Sequence, residues 1–225
     1  MRHDTLLFDL DGTLADTDAL HFEAFARTLA PMGMAIGRAD YVAHILGRTN
    51  ESIMRDLFPG LDAAGRMRVA EEKEACFRSL AARIEPVRGL DGLLAWAARE
   101  AIRTAVVTNA PRANAEQMLA GLGLAGRFDA LVIGDELARG KPDPLPYATA
   151  LALLGSEAGR AVAFEDSRSG VAAARDAGIF TFGLTTTLDA PALHAAGAGA
   201  AIADFADPLL AEGLEARFGS SPARG

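Results

Sequence analysis

Two carboxylates stand two residues apart in Phe8-Asp9-Leu10-Asp11-Gly12-Thr13-Leu14, where an apolar segment gives way to a turn. Anions this close need a cation between them, or one must keep a proton. Either outcome is chemically useful. The preceding residues 5–8 are apolar, with β-branched and aromatic character, and predict a buried strand of a parallel sheet. Such a strand delivers its last side chains to the carboxyl edge, where open α/β sheets bind ligands. In an extended backbone, residues two apart lie on one side, which predicts a common pocket for Asp9 and Asp11. A plain turn at Asp11-Gly12 and a chance surface acid pair are the competing readings. A calcium loop fails on spacing: it wants glycine sixth and glutamate twelfth, whereas Gly12 is fourth and Leu20 twelfth.

Three later strand ends carry polar signatures of their own. Val107 is followed by Thr108-Asn109, the loop beyond Ile133 leads to Gly140-Lys141-Pro142, and Phe164 is followed by Glu165-Asp166-Ser167. Singly these are ordinary: a hydroxyl caps a helix, a lysine is solvated, an acid pair lies on the surface. Together they set a hydroxyl, an ammonium and four carboxylates at one edge of one sheet. The chemistry that needs such a set is phosphoryl transfer through an aspartyl-phosphate. Hydrolysis of a phosphomonoester requires barrier reduction on the order of 20 kcal/mol or more. A carboxylate reaches an anionic phosphate only when charge is neutralised, which Mg²⁺ and Lys141 would do. Asp9, Asp166, Glu165 and a backbone carbonyl near Asp11 suit Mg²⁺, an ion that prefers oxygen ligands.

The elements that must position these groups follow from periodicity. Residues 16–83 read as helices only: 19–30, with Phe22, Phe25, Ala26 and Leu29 on one face and Pro31 and Gly33 as the stop, then 39–46, 50–57 and 63–82. Beyond Pro86, helices at 90–100, 113–122, 145–154 and 169–177 alternate with strands at 104–107, 130–133, 161–164 and 179–182. That alternation implies right-handed βαβ units and a doubly wound, Rossmann-like parallel sheet of the α/β class. The predicted organisation is a core of 1–16 and 86–219, a small all-helical cap of 17–85 inserted after the first strand, and a disordered tail at 220–225. Gly197-Ala198-Gly199 lacks the strand and third glycine of a dinucleotide fingerprint and reads as loop.

Composition narrows the partners. With 22 basic and 30 acidic residues among 225, the net charge is −8. Nucleic acid is disfavoured, because phosphate backbones demand basic patches. A small phosphorylated metabolite remains compatible. Cys76 is alone, so no internal disulfide forms and a reducing, cytoplasmic compartment is expected. No signal peptide is expected before the first strand, and no apolar run approaches the ~20 residues of a membrane span.

In this order and at these separations, Asp9-Leu10-Asp11-Gly12-Thr13-Leu14, Thr108-Asn109, Lys141-Pro142 and Glu165-Asp166-Ser167 resemble the four motifs of the haloacid dehalogenase (HAD) superfamily. The helical insert resembles its type I cap, as in the phosphoglycolate phosphatase and β-phosphoglucomutase branches. The resemblance implies Asp9 as nucleophile and Asp11 as the general acid, then base. It implies Thr108 and the Asn109 amide as holders of the phosphoryl group, and Lys141 as partner of nucleophile and phosphate. Asp9, the Asp11 carbonyl, Asp166 and Glu165 would form the Mg²⁺ site. An acid at position 11 disfavours dehalogenation. His21 on the first cap helix and Arg48 in the loop 47–52 are the candidate substrate-reading residues of the cap. Lys73, in an acidic helical run, reads equally well as a surface pair with Glu74 or Glu71. The implied activity is a phosphatase of a sugar phosphate or phosphoglycolate-like ester, acting as monomer or homodimer. The alternative is a phosphosugar mutase, which His21 favours and Asn50, where an arginine is expected, opposes. A signalling receiver is disfavoured by the helical insert and the chain length, and a non-catalytic binding protein by the complete motif set.

Overall fold

The computed structural model describes residues 3–46, 48–81 and 84–222. The chain divides into two compact units: one of residues up to Asp16 and from Glu85 onward, the other Thr17–Ile84.

The first unit is built on a parallel sheet with strand order β3-β2-β1-β4-β5-β6. The strands are β1 (Thr5–Phe8), β2 (Arg103–Thr108), β3 (Ala130–Ile133), β4 (Ala161–Glu165), β5 (Phe180–Leu184) and β6 (Ala200–Ile202). β1 lies between β2 and β4, with Phe8 level with Val106 on one side and Phe164 on the other. The chain order reverses there, and such a switch point opens a crevice at the carboxyl ends of the strands. β1 ends at Phe8, level with Val106 and Phe164, while β4 continues to Glu165 and β2 to Thr108, so Asp9 emerges between the last residues of its two neighbours.

Alternation along the strands sends side chains to two faces. On one, Leu7, Ala105, Val107 and Ala163 pack against Tyr147, Ala150 and Leu151 of α7 (Leu145–Leu154) and Ala173 and Ala174 of α8 (Arg168–Asp176). On the other, Phe8 stacks on Phe164 at 4.9 Å and Phe164 on Phe182 at 5.7 Å, while Phe205 meets Phe164 edge-on at 5.3 Å. Rings at these spacings and tilts add favourable quadrupole contacts to their burial. The stack lies directly beneath the residues that follow β1 and β4.

The second unit holds α1 (Asp18–Leu29), α2 (Arg38–His44), α3 (Asn50–Leu57) and α4 (Ala63–Leu80). Phe25, Leu29, Tyr41, Ile45, Ile53, Met54 and Val69 form its core. Asp62 caps α4 by accepting from the Gly65 amide, and Thr49 caps α3 through Ser52. Gly33, in the left-handed conformation at φ 74°, ends the turn beyond α1 where Pro31 forbids more helix.

Three features depart from the sequence reading. Lys73 is buried, not on the surface, and donates to Glu74 at 2.6 Å. The segment around Gly197 is more than loop: it closes α9 (Ala190–Ala196) and leads into β6, with α10 (Pro208–Phe218) after it. β4 runs one residue further than periodicity predicts and includes Glu165. Of the tail, 223–225 lie outside the described residues, as do 82 and 83 at the end of the helix expected over 63–82. No helix among the described residues is long and apolar enough to cross a membrane. The remaining helices of the core unit, α5 (Leu90–Arg99) and α6 (Arg112–Gly121), flank β2 in sequence.

Removing the central ring tests the stack. Phe164→Ala is expected to cost about 3–5 kcal/mol, read as a lower urea midpoint with an unchanged slope.

Candidate active site

Asp9 is the first residue past β1, and its amide still donates to Phe164 O at 3.0 Å, so the sheet ladder fixes its position. The chain then leaves the strand. Gly12 adopts φ 74°, and a Cβ there would stand 2.1 Å from Asp166 Oδ2, so glycine is required by both conformation and space. Asp11 is therefore placed by this turn and not by the strand alternation that the sequence suggested. It sits half-buried in a turn bridged to Ala15, and its charge is felt at Asp9. Thr186 donates to the Gly12 carbonyl, and Thr13 to Asp166 Oδ1 at 3.4 Å, tying the turn to the ends of β5 and β4.

Lys141 is the centre of the arrangement. Its ammonium donates to Asp9 Oδ1 at 2.6 Å, Glu165 Oε1 at 2.5 Å and the Val107 carbonyl at 2.6 Å. An ammonium has three N–H groups, and all three are engaged. Asn109 holds the lysine's backbone from both sides: its Nδ2 donates to Lys141 O and its Oδ1 accepts from Lys141 N, each at 3.0 Å. Side chains at Gly134 and Gly140 would collide with Asn109 Oδ1, at 2.2 and 2.7 Å. The Asn109 side chain thus places Lys141. Thr108 is buried beside it, its hydroxyl accepting from Ala110 N at 3.0 Å.

Glu165 is fully buried. Besides Lys141, its Oε1 accepts from the Tyr147 hydroxyl at 2.7 Å, and Oε2 accepts from Ser167 Oγ at 3.2 Å. A Cβ on Gly170 would fall 1.9 Å from this carboxyl group. Ser167 also caps α8 by accepting from the Gly170 amide. One hydroxyl therefore starts the helix and seats the acid.

Asp9, Glu165 and Asp166 bring ligand oxygens within 4.8 Å of one another. Three buried carboxylates against one ammonium leave excess negative charge, and the donors are hard oxygens. That set fits a divalent cation. Burial pushes the Asp9 carboxyl up to about 7; Lys141 opposes the rise, and Glu165 and Asp11 add to it. Asp166 is raised well above the usual carboxylate range by burial, then by Asp9 and Glu165. For Lys141, burial works against the charge, but Asp9 and Glu165 outweigh it and raise its pKa. The Tyr147 hydroxyl, raised by burial and by Glu165, stays protonated and donates.

His21 and Arg48 belong to the helical unit. His21 stacks on Phe77 at 4.0 Å, and its Nδ1 lies 3.5 Å from Lys73 Nζ. Glu74 accepts from both Lys73 and Asn50 at 2.6 Å, so Asn50 serves this cluster. Arg48 is exposed and paired with Asp56 at 2.5 Å, with a second bond to His44 O at 2.8 Å. Sequence reasoning missed Tyr147, Gly170 and Thr186. The one available signal was a glycine inside the first turn of a helix, which costs helix stability and so marks a close approach.

Residues 6–184 match the family described as haloacid dehalogenase-like hydrolase. A validoxylamine A 7'-phosphate phosphatase of Streptomyces hygroscopicus subsp. limoneus is 36% identical over 83% of this chain and 88% of its own. A phosphorylated carbohydrates phosphatase of Thermotoga maritima is 34% identical over 88% and 94%. The crystal structure of CbbY from Rhodobacter sphaeroides in complex with phosphate superposes with a TM-score of 0.79 at 30% identity, covering 90% of this chain and 95% of that one.

The raised Asp9 carboxyl has a consequence for stability. With no divalent cation present, folding keeps a proton on Asp9 that the unfolded chain, with an ordinary pKa of about 3.9, releases. Stability therefore falls as pH rises from about 4 through about 7 and levels off above. In a chelator, the melting temperature is expected to drop on the order of 5 °C between pH 5 and pH 8. Asp9→Asn should melt higher than wild type at pH 8 and show a shallower fall.

Proposed function

The chain belongs to the haloacid dehalogenase-like hydrolases, and from that membership we propose a Mg²⁺-dependent phosphatase of a small phosphorylated carbohydrate or similar ester, working through an aspartyl-phosphate on Asp9. The observation that carries the proposal is the buried Asp9 carboxylate held by Lys141 at the switch point of the sheet. The similarity to phosphatases of phosphorylated carbohydrates and of validoxylamine 7'-phosphate supports the substrate class.

Asp9 attacks phosphorus, forming its own O–P bond as the bond to the leaving oxygen breaks. Asp11 gives that oxygen a proton and so leaves a neutral alcohol. In the second half, Asp11 takes a proton from the water that attacks phosphorus, and the Asp9–phosphorus bond breaks to release phosphate. The two residues divide the work by environment: Asp9 is buried and tied to an ammonium, Asp11 is half-buried in the turn. The Thr108 hydroxyl and the Asn109 backbone amide receive phosphoryl oxygens. Lys141 favours the ionised form of Asp9 against the effect of burial, and its three donors are already engaged. It therefore reaches a phosphoryl oxygen by passing on the N–H it gives to Asp9, keeping Glu165 and Val107.

Asp9, Asp166 and the Asp11 carbonyl would hold Mg²⁺; Glu165 shares the cluster, but its oxygens already serve Lys141, Tyr147 and Ser167. The ion would neutralise charge between carboxylate and phosphate. Within the helical unit, His21, Lys73, Glu74 and Asn50 form a connected polar cluster.

Inorganic phosphate release across a panel of phosphorylated metabolites with Mg²⁺ tests the proposal. Release from one or a few esters is expected, with none from Asp9→Asn and kcat lowered roughly 10²–10⁴-fold in Asp11→Asn. Appreciable turnover by purified Asp9→Asn would defeat the nucleophile assignment. Isomerisation of a hexose phosphate without net release, stimulated by a bisphosphate, would make the enzyme a mutase.

A further inference from the structure

Tyr147 lies in the first turn of α7, in the segment that begins with Lys141, and it is fully buried. It meets Lys141 in two ways. The ring face lies 5.1 Å from the ammonium, a cation–π distance. The hydroxyl donates to Glu165 Oε1, the oxygen that also accepts from Lys141. Ser167 holds the other oxygen, and the missing side chain of Gly170 leaves room for the carboxyl group. Glu165 is thus fixed by two hydroxyls before the ammonium is counted.

We propose that Tyr147 is a positioning residue for phosphoryl transfer: by sharing Glu165 Oε1 with Lys141, it sets where the ammonium stands between Glu165 and Asp9. A buried carboxylate oxygen that loses one of two donors draws the other closer, because an under-bonded oxygen is costly away from water. Without the tyrosine hydroxyl, Oε1 relies on the ammonium alone, already at 2.5 Å, so Lys141 turns its donors to Glu165 and its bond to Asp9 loosens. The nucleophile then loses the contact that orients it. The ring alone does not prevent this, since its attraction for a cation has no preferred partner oxygen.

The inference rests on Asp9 as nucleophile, and a property of the sequence lets it be tested without turnover. Of the 22 basic residues only Lys73 and Lys141 are lysine. Protein labelled with ¹⁵N-lysine therefore gives two side-chain ammonium signals, and Lys73→Arg assigns the one that remains to Lys141. In Tyr147→Phe the Lys141 signal is expected to shift and its protons to exchange several-fold faster, while the Lys73 signal stays in place. Where phosphate release is followed, kcat should fall about tenfold, the effect of one hydrogen bond to a charged group, with KM within about twofold of wild type. An unmoved Lys141 signal in folded Tyr147→Phe overturns the proposal. Should that variant not fold, Glu165→Gln must move the same signal; a signal left unmoved there overturns the proposal equally. Adding Tyr147→Phe to Glu165→Gln should move it no further, and an additive shift overturns the route through Glu165. Absence of phosphate release from wild type would defeat the phosphatase reading instead, with the lysine signals still deciding the role of Tyr147.

Discussion

The arrangement at the sheet edge depends on one ammonium shared between two buried carboxylates. Lys141 sits 2.6 Å from Asp9 and 2.5 Å from Glu165, in a place that excludes water. Charges removed from water are costly unless their partners are close and their remaining hydrogen bonds are made. Here they are made: the Val107 carbonyl takes the third N–H of the lysine, and Tyr147 and Ser167 complete Glu165. Removing any one partner would leave a buried charge short. The tension shows at Asp9, whose carboxyl burial pushes up to about 7 although Lys141 opposes the rise.

Topology makes the sharing possible. No two of Asp9, Lys141 and Glu165 are near in sequence, yet β1 is flanked by β2 and β4, so Asp9 and Glu165 follow Phe8 and Phe164 at one level and Thr108 stands one residue beyond Val107 on the other side. Lys141 is carried in on a loop, and Asn109 receives that loop by a two-way backbone contact possible only beside two glycines. Below, the stack of Phe8, Phe164 and Phe182 fixes the strands whose ends carry the acids. A fault in that packing would displace the carboxylates by a fraction of an ångström, which matters at hydrogen-bond distances.

Asp9, Thr108, Glu165 and Asp166 were legible where an apolar run ends in a polar one, and Lys141 as a lone lysine on the loop beyond β3. A parallel strand buried on both faces leaves only its end for chemistry, and the change in residue type marks that end. Tyr147 carried no such mark, because an aromatic residue in an apolar helix looks like core, and it is core except for one oxygen. Strand alternation is not what places Asp11 near Asp9, because period-two alternation holds only while the backbone stays extended, and β1 stops at Phe8. β6 was invisible: Ala200–Ile202 is three residues with one β-branched side chain. Lys73 looked solvated because its sequence neighbours are acids. Its helix instead turns it inward, onto the ring of Phe25 at 4.8 Å and the carboxylate of Glu74.

A further signal lay in the choice between the two basic side chains. The chain uses arginine for every cation except Lys73 and Lys141, both of which are buried against a carboxylate. A guanidinium is planar and presents its donors as a fork suited to a flat carboxylate or a surface pair, as Arg112 does with Glu136. An ammonium is compact and spreads three donors tetrahedrally. The oxygens of Asp9, Glu165 and Val107 surround a single point, and only the second geometry meets all three from there. In a sequence that prefers arginine on its surface, a lysine marks a place where a cation must be small and enclosed. By that measure Lys73 belongs to a built polar cluster of the helical unit as firmly as Lys141 belongs to the sheet edge, and sequence context alone had set the two apart.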